Sequence, residues 1–178
     1  MGTDIGTLRI TNIVARVVTA KRIDVRTVAQ SVYNSIYCPS RFPDVHIRLT
    51  RPFAMSVKIF ESGQIVIPGV PDIPTLKRSL RYILKILNSV LSTKVCVERM
   101  ELTNIVAAMN MGHQVHLEKL EETGWIYEPE IGPYAITKIQ DVTVMVYGSG
   151  AVIFAGAKRM RVLNSVYMQV HHQLGNYK

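Results

Sequence analysis

The chain has 178 residues, 48% of them apolar, and a formal net charge of +8. This length and composition predict a folded protein with a substantial core and exclude a disordered chain. No apolar run approaches the roughly 18 residues that cross a membrane, and the N-terminus lacks the features of a signal peptide, so we expect no membrane partner. The basic surplus favours a polyanionic partner such as nucleic acid, although it also serves solubility.

The first half of the chain predicts several strands and a long helix. Its elements, in chain order, are a strand at 7–17, a short helix from Asp24 to Val32, an irregular stretch at 37–43, strands at 45–49, 55–60 and 64–67, and a helix from Pro74 to Leu91. Asp24 suits an N-cap, and Ser62 with Gly63 is typical of a tight hairpin turn. The long helix is amphipathic, because its apolar residues recur at helical spacing opposite a basic face.

The second half of the chain repeats this order. Its predicted elements are a strand from Met100, a short helix at 116–122, a loop at 125–133, three strands ending at Phe154, and a helix at about 158–174. Residues 11–15 recur letter for letter as 103–107, residues 57–63 resemble 144–150, and residues 68–70 resemble 155–157. Three matches in one order indicate a tandem duplication, so we predict two repeats at 8–95 and 96–178.

The repeated order of strands and helices predicts an α+β fold. Two such halves joined edge to edge would make one continuous antiparallel sheet with pseudo-two-fold symmetry. Helices would cover one face of this sheet and leave the other face open. A pseudo-symmetric protein suits a pseudo-symmetric target such as duplex DNA.

The sequence shows no pattern typical of a catalytic or metal site. Cys38 and Cys96 lie in different repeats without the spacing of metal ligands, and we expect free, partly buried thiols. His113 and His116 are three positions apart, but no cysteine or carboxylate cluster completes a zinc site. Residues 148–150 form a hairpin tip and not the strand-to-helix turn of a phosphate-binding loop. We therefore expect a protein that is not an enzyme and needs no cofactor.

The motifs resemble the core domain of the TATA-box-binding proteins over nearly the whole chain, from about Leu8 to Leu174. The resemblance is carried by the doubled Asn-Ile-Val, the hairpins at 59–63 and 146–150, the run Tyr127-Glu128-Pro129-Glu130, and Gly156-Ala157-Lys158. It implies a saddle in which a curved ten-stranded antiparallel sheet grips the minor groove of A·T-rich promoter DNA, with four helices on the convex face. The degree of divergence resembles that of members from early-branching eukaryotes and large DNA viruses.

The resemblance also implies a set of DNA-binding residues. Asn12 and Asn104 match the two central asparagines, whose amides can donate to adenine N3 and thymine O2. The other positions supply apolar contacts, aromatic rings that insert between base pairs, and contacts to phosphates: Val14, Val66, Val106, Met145 and Ile153; Phe42, Phe60 and Tyr147; and Arg48, Ser62, Lys138, Ser149 and Lys158. Lys58 is added from this chain's own residues, since a lysine suits a phosphate contact but cannot pack flat on base edges.

This chain departs from the family pattern at several positions. Gly132 stands where the family inserts a phenylalanine, and Tyr134, two residues on, is the candidate substitute. Pro68 and Ala155 replace threonines that hydrogen-bond near the central bases, and Lys58 replaces a leucine. We therefore expect the first repeat to kink DNA strongly and the second repeat to do so weakly.

Further surfaces are implied for protein partners. Glu128 and Glu130 match the loop on which the family docks transcription factor IIB, and the alternative is a pair of solvated loop glutamates. A basic helix face lies where the family binds regulators and flanking DNA, and otherwise is a solvated face: Lys77, Arg78, Arg81 and Lys85.

The expected role is general transcription initiation on double-stranded A·T-rich DNA, with a IIB-like factor and RNA polymerase as partners. The expected compartment is the nucleus or, for a viral protein, a viral factory or the cytoplasm. A homodimer that forms in the absence of DNA is a further alternative. The alternative function is a protein-interaction scaffold of the same fold with weak or partner-dependent DNA binding.

Overall fold

A computed structural model describes residues 6–52 and 54–175. The described strands are β1 (Arg9–Thr19), β2 (Ser35–Tyr37), β3 (Asp44–Leu49), β4 (Met55–Phe60), β5 (Gln64–Val70), β6 (Val97–Asn110), β7 (Ile126–Tyr127), β8 (Tyr134–Ile139), β9 (Val142–Tyr147) and β10 (Ala151–Ala157). The described helices are α1 (Val25–Ser31), α2 (Ile73–Val90), α3 (Glu118–Glu121) and α4 (Met160–Gly175). The strand order in the sheet is β2-β3-β4-β5-β1-β6-β10-β9-β8-β7. The predicted α+β class with one ten-stranded antiparallel sheet is confirmed.

The chain folds into two compact units. The first unit is Asn12–Thr103, and the second unit combines residues 6–11 with residues 104–175. The unit boundaries fall inside β1 and β6, because both long strands contribute to both units. In the first unit the Thr103 hydroxyl donates to the Val14 carbonyl at 3.1 Å, and in the second the Thr11 hydroxyl donates to the Val106 carbonyl at 3.3 Å.

In the first unit, helices cover one face of the sheet. The helix α2 packs on β5 and on α1. The Asp24 carboxylate caps α1 by accepting from the backbone N–H groups of Arg26 and Thr27, as predicted. Alternate strand residues are fully buried with residues of α2: Ile13, Ala15, Val17, Val45, Ile47, Val57, Ile59, Ile65 and Ile67 with Leu76, Ile83 and Leu87. The side chains that alternate with these buried strand residues form what we call the open face of the unit.

The second unit repeats this packing. Here α4 packs on β10, and α3 packs on β7. The buried set comprises Ile105, Ala107, Val142, Val144, Val146, Val152 and Phe154 with Leu163, Val166 and Val170. Its open face again carries the side chains that alternate with the buried strand residues.

The hairpins β4–β5 and β9–β10 have the same turn. The backbone N–H of Gly63 donates to the Phe60 carbonyl at 3.0 Å, and that of Gly150 donates to the Tyr147 carbonyl at 2.9 Å. Both glycines have a positive φ, of 90° and 84°. A Cβ atom would lie 2.5 Å from a backbone oxygen at Gly63 and 2.1 Å from one at Gly150. The predicted turn at Ser62 and Gly63 is therefore confirmed, and it requires glycine.

Several element boundaries differ from the predicted ones. The edge strand β2 ends at the start of the irregular stretch predicted at 37–43, and the edge strand β7 lies within the loop predicted at 125–133. These strands have only three and two residues, which is too short for a periodic pattern in the sequence. The helix predicted at 116–122 is reduced to the four residues of α3, and its N-cap, Leu117, makes no side-chain capping bond. The strand predicted from Met100 begins earlier, at Val97.

Candidate nucleic-acid interface

The predicted apolar contacts lie on the open faces. In the first unit Val14 of β1 and Val66 of β5 are half-buried. In the second unit Val106 of β6, Ile153 of β10 and Met145 of β9 are half-buried, and Ile153 is directly opposite Met145 in register. Each unit therefore presents a partly exposed apolar surface on the face that its helices leave uncovered.

Asn104 is oriented by a backbone donor. The N–H of Gly156 donates to Asn104 Oδ1 at 2.9 Å. A register irregularity in β10 between Phe154 and Ala157 creates this contact, because it turns the Gly156 backbone to a φ of 94°. The amide oxygen is thus occupied, while the Nδ2 group makes no hydrogen bond among the described residues. Asn104 therefore keeps two N–H donors for an external acceptor.

Asn12 is the equivalent residue of the first unit, but its hydrogen bonding differs. Its Oδ1 atom is buried and has no hydrogen-bond partner in the described part of the chain. The pairing of β1 with β5 has the matching irregularity between Ile13 and Ala15, and Gly69 has a φ of 76°. Because the backbone donor seen at Asn104 is not engaged here, the orientation of the Asn12 amide is less firmly held.

The aromatic positions follow two equivalent turns. In the first unit the backbone N–H of Phe42 donates to the Cys38 carbonyl at 2.9 Å, and in the second that of Gly132 donates to the Glu128 carbonyl at 3.2 Å. Gly132 is therefore the structural counterpart of Phe42. The Phe42 ring is 60% exposed, so it is free to contact a ligand.

The ring of Tyr134 fills the space beside Gly132. A Cβ atom on Gly132 would lie 2.5 Å from Tyr134 Cε1, so a side chain at 132 and this ring position exclude each other. Tyr134 is directly opposite Tyr147 in register, and their ring centroids are 5.6 Å apart. In the first unit the residue opposite Phe60 is Asp44, which carries no ring. The second unit thus holds two aromatic rings, Tyr147 and Tyr134. The Tyr134 ring comes from a residue two positions after Gly132, the counterpart of Phe42.

The predicted phosphate contacts are accessible. The side chains of the set are exposed: Arg48, Lys58, Ser62, Lys138, Ser149 and Lys158. Lys138 Nζ lies 3.6 Å from Asp141 Oδ1, but the lysine side chain remains 66% exposed, so this pair is weak and leaves the cation available. Phe60 and Tyr147 are half-buried at the hairpins that carry Ser62 and Ser149.

An ion-paired arginine also lies on the open face of the first unit. Arg16 Nη2 donates to Glu101 Oε2 at 2.7 Å, and Arg99 Nε forms an ion pair with Glu101 Oε1 at 2.9 Å. The hydrogen bond from Arg16 lowers the pKa of Glu101 below its ordinary value, so the carboxylate is charged near neutral pH. Sequence patterns do not indicate this pair, because Arg16 and Glu101 are 85 positions apart.

The surfaces predicted for protein partners are exposed. Glu128 and Glu130 lie in the loop between β7 and β8, beside Ile131, whose side chain is 70% exposed. The basic face of α2 is exposed as predicted, with Lys77, Arg78, Arg81 and Lys85. A shallow cavity of about 400 Å³ at its N-terminal end is lined by Ile73, Pro74, Lys77, Arg78 and Arg81.

Known proteins resemble this chain in sequence and in fold. The family described as transcription factor TFIID (or TATA-binding protein, TBP) matches residues 7–90 and 99–177. The TATA-box-binding protein of Pyrobaculum calidifontis is 31% identical over 172 residues, which cover 93% of this chain and 85% of that protein. The chain belongs to the TATA-box-binding protein family.

Other members of the family agree with this assignment. The TATA-box-binding protein-like 1 of Entamoeba histolytica is 28% identical over 167 residues, which cover 91% of this chain and 76% of that protein. The structure of Methanococcus jannaschii TBP matches with a TM-score of 0.81 at 25% identity, over 95% of this chain and 98% of that chain. The predicted resemblance is therefore confirmed.

Membership of this family makes the chain a transcription initiation factor, with DNA and the general transcription machinery as partners. Proteins of the family are transcription factors and not enzymes. Among the described residues, no group of three or more His, Cys, Asp or Glu side chains could hold a metal ion. Cys38 and Cys96 are free thiols, as predicted, but only Cys38 is half-buried, and Cys96 is exposed. No helix in the described ranges is long and apolar enough to cross a membrane.

Proposed function

We propose that this chain binds A·T-rich promoter DNA through the minor groove, bends it, and recruits a IIB-like factor and RNA polymerase. The observation that carries the proposal is the Asn104 amide, whose oxygen is held by the Gly156 N–H at 2.9 Å and whose N–H donors stay free. In the minor groove an A·T pair offers only acceptors, whereas a G·C pair adds the guanine amino donor. An amide fixed as a donor therefore favours A·T pairs.

Bending follows from aromatic side chains that insert between base pairs. Proteins of this very family are among those in which such insertion is known to cost a few kcal/mol per unstacked step, offset by the protein surface that the bent duplex contacts. In the first unit the inserting rings are Phe42 and Phe60. In the second unit Tyr147 is joined by Tyr134, whose ring fills the space left at Gly132.

Exposed cations and hydroxyls at the rims of both open faces contact the phosphates. Lys and Arg side chains that neutralise phosphates release counterions, so the affinity falls as salt concentration rises. The exposed Arg48, Lys138 and Lys158 supply this sequence-independent part of the affinity, and Ser62 and Ser149 donate from the hairpin turns.

Protein partners would use two other surfaces. The exposed acidic pair Glu128 and Glu130, beside the exposed apolar Ile131, suits a IIB-like factor with a basic and apolar surface. The basic face of α2 suits acidic regulators. A homodimer through the open faces is expected only when DNA is absent, because the same apolar residues serve both. The compartment is the nucleus in a eukaryotic cell, and otherwise the compartment that holds the transcribed DNA.

The alternative function, a scaffold with weak DNA binding, drew its support from the missing aromatic at Gly132. The Tyr134 ring beside Gly132 weakens that argument, although Pro68 and Ala155 still lack the hydroxyls of the family's threonines. We therefore favour DNA binding.

The test is binding and bending of duplexes labelled with a dye at each end. At moderate salt the chain is expected to bind an A·T-rich duplex and to raise end-to-end energy transfer, and to do neither with a G·C-rich duplex. Absence of binding to both duplexes, with and without a IIB-like partner, would favour the scaffold.

A further inference from the structure

A row of side chains crosses the open face of the first unit. Register aligns Arg16 with Val66, Val66 with Lys58, Lys58 with His46, and His46 with Ile36. Residues directly opposite each other in neighbouring strands share a face of the sheet, so these five side chains form one row. We call it the first row. Three of its five members are polar, and two carry a positive charge.

The second unit has the corresponding row with different chemistry. Register aligns Ala108 with Ile153, Ile153 with Met145, Met145 with Ile136, and Ile136 with Ile126. The two rows correspond strand by strand, from the central strand of each unit to its edge strand. All members of this second row are apolar, so it offers no side-chain donor.

The cations of the first row have donors to spare. Lys58 is exposed, and no ion pair holds it among the described residues. Arg16 is oriented by its 2.7 Å bond to Glu101, and its side chain stays 42% exposed. The guanidinium N–H groups outside this bond are therefore accessible to an acceptor supplied by a ligand. Lysine and arginine side chains carry donors only.

Rows with and without donors discriminate base pairs differently in a minor groove. The donors of the first row pair with the acceptors of A·T base pairs and oppose the amino donor of guanine. The second row leaves the base edges of either pair without a hydrogen bond, so its preference depends on shape alone. The first row is therefore the more base-selective of the two.

We propose that Arg16 and Lys58, in addition to the central asparagine that each unit carries, make the first unit the more A·T-selective half of the interface, so that the chain binds an asymmetric site in one orientation. The first unit then lies over the half of the site that holds only A·T pairs. This inference rests on the proposed minor-groove binding and adds specificity-determining residues and a direction to it.

The test uses a hybrid duplex with A·T pairs in one half and G·C pairs in the other, beside a duplex of A·T pairs throughout. A donor dye is attached through Gln30→Cys, an exposed position on α1, in a Cys38→Ser, Cys96→Ser background. An acceptor dye marks one end of the hybrid duplex. We expect one main transfer efficiency, with the first unit over the A·T half in at least tenfold excess.

Two double variants distinguish the effect of the first row on orientation from the effect of net charge. Arg16→Ala with Lys58→Met gives the first row the residues of the second row at those positions, and should bring the orientation preference to within twofold. Lys21→Met with Lys94→Met removes the same charge from exposed positions outside the row, and should keep the tenfold preference.

Three outcomes bear on the inference. Equal populations of the two orientations in the parent protein would overturn it and leave the proposed function intact. The same holds if the variant with Lys21→Met and Lys94→Met loses the orientation preference as completely as the variant with Arg16→Ala and Lys58→Met. Failure to bind the duplex of A·T pairs throughout would overturn the proposed function, and this inference with it.

Discussion

Tyr134 places its ring where a side chain on Gly132 would have to lie, at 2.5 Å from the Cβ position. Glycine at 132 and tyrosine at 134 therefore depend on each other. The second unit therefore keeps an aromatic ring beside this turn. The ring belongs to Tyr134, the first residue of β8, and not to position 132 in the turn. Tyr147 packs beside it with ring centroids 5.6 Å apart.

The first prediction concerns this exchange. Tyr134→Ala should weaken binding to an A·T-rich duplex by about 1–3 kcal/mol, the usual worth of one aromatic ring stacked on a base. Tyr134→Gly combined with Gly132→Phe restores the family pattern and should recover most of the bending. Titration with end-labelled duplexes measures both effects. An unchanged affinity in Tyr134→Ala would show that this ring does not contact DNA.

The second prediction compares the two hairpins. Phe60→Ala should reduce DNA affinity far more than Tyr147→Ala. The phenol of Tyr147 requires a hydrogen-bond partner when buried, which makes it a poorer insertion, and Tyr134 remains nearby to substitute. Gel-shift titrations of the two variants at one salt concentration provide the comparison. Equal losses would contradict the asymmetry between the units.

The third prediction separates the donor role of Asn104 from its structural role. In Asn104→Asp the carboxylate still accepts the Gly156 N–H, so the midpoint of urea unfolding should change little. The variant has no N–H to donate and adds a negative charge beside the DNA. We expect a loss of binding of at least about 1–3 kcal/mol, the value of a bidentate base contact. A stable variant that binds normally would exclude a direct base contact.

The positions of the asparagines and the hairpins are predictable from the sequence, because the duplication repeats the asparagine segments letter for letter and the hairpins with similar residues. The exchange between Gly132 and Tyr134 is only suggested by the sequence, since it depends on the path of a turn. The pair of Arg16 and Glu101 is not predictable, because residues 85 positions apart meet only when β1 lies beside β6. The two rows are defined by the register of the strands within each unit.

The fourth prediction concerns the Arg16–Glu101 ion pair. The pKa of Glu101 is lowered in the folded state, chiefly by the hydrogen bond from Arg16, so its contribution to stability is present above the ordinary value of 4.5 and is lost as pH falls through the lower folded value. Glu101→Gln should remove this part of the acid dependence of urea unfolding. Glu98→Gln, at an exposed position three residues earlier in β6, should retain it. Identical acid profiles for the two variants would contradict the assignment.

The fifth prediction tests the hairpin glycines. Gly150 and Gly124 have nearly equal positive φ angles, 84° and 85°, but a Cβ atom meets a backbone oxygen at 2.1 Å only at Gly150. Both alanine variants should lose about 1 kcal/mol to the left-handed conformation. Gly150→Ala should lose more, because the β9–β10 turn must move. Thermal unfolding of the two proteins gives the difference, and equal Tm values would contradict the close approach.

The central claim is that the open faces recognise base pairs through the minor groove. The most direct measurement compares end-to-end energy transfer on three duplexes of equal length, with A·T, inosine·cytosine or guanine·cytosine pairs in the site. Inosine lacks the guanine amino group, so its pair with cytosine presents the acceptors of A·T in the minor groove and the pattern of G·C in the major groove. We predict equal binding and bending of the A·T and inosine duplexes and neither with guanine. Binding of the A·T duplex alone would contradict the account, because it would place the recognition in the major groove.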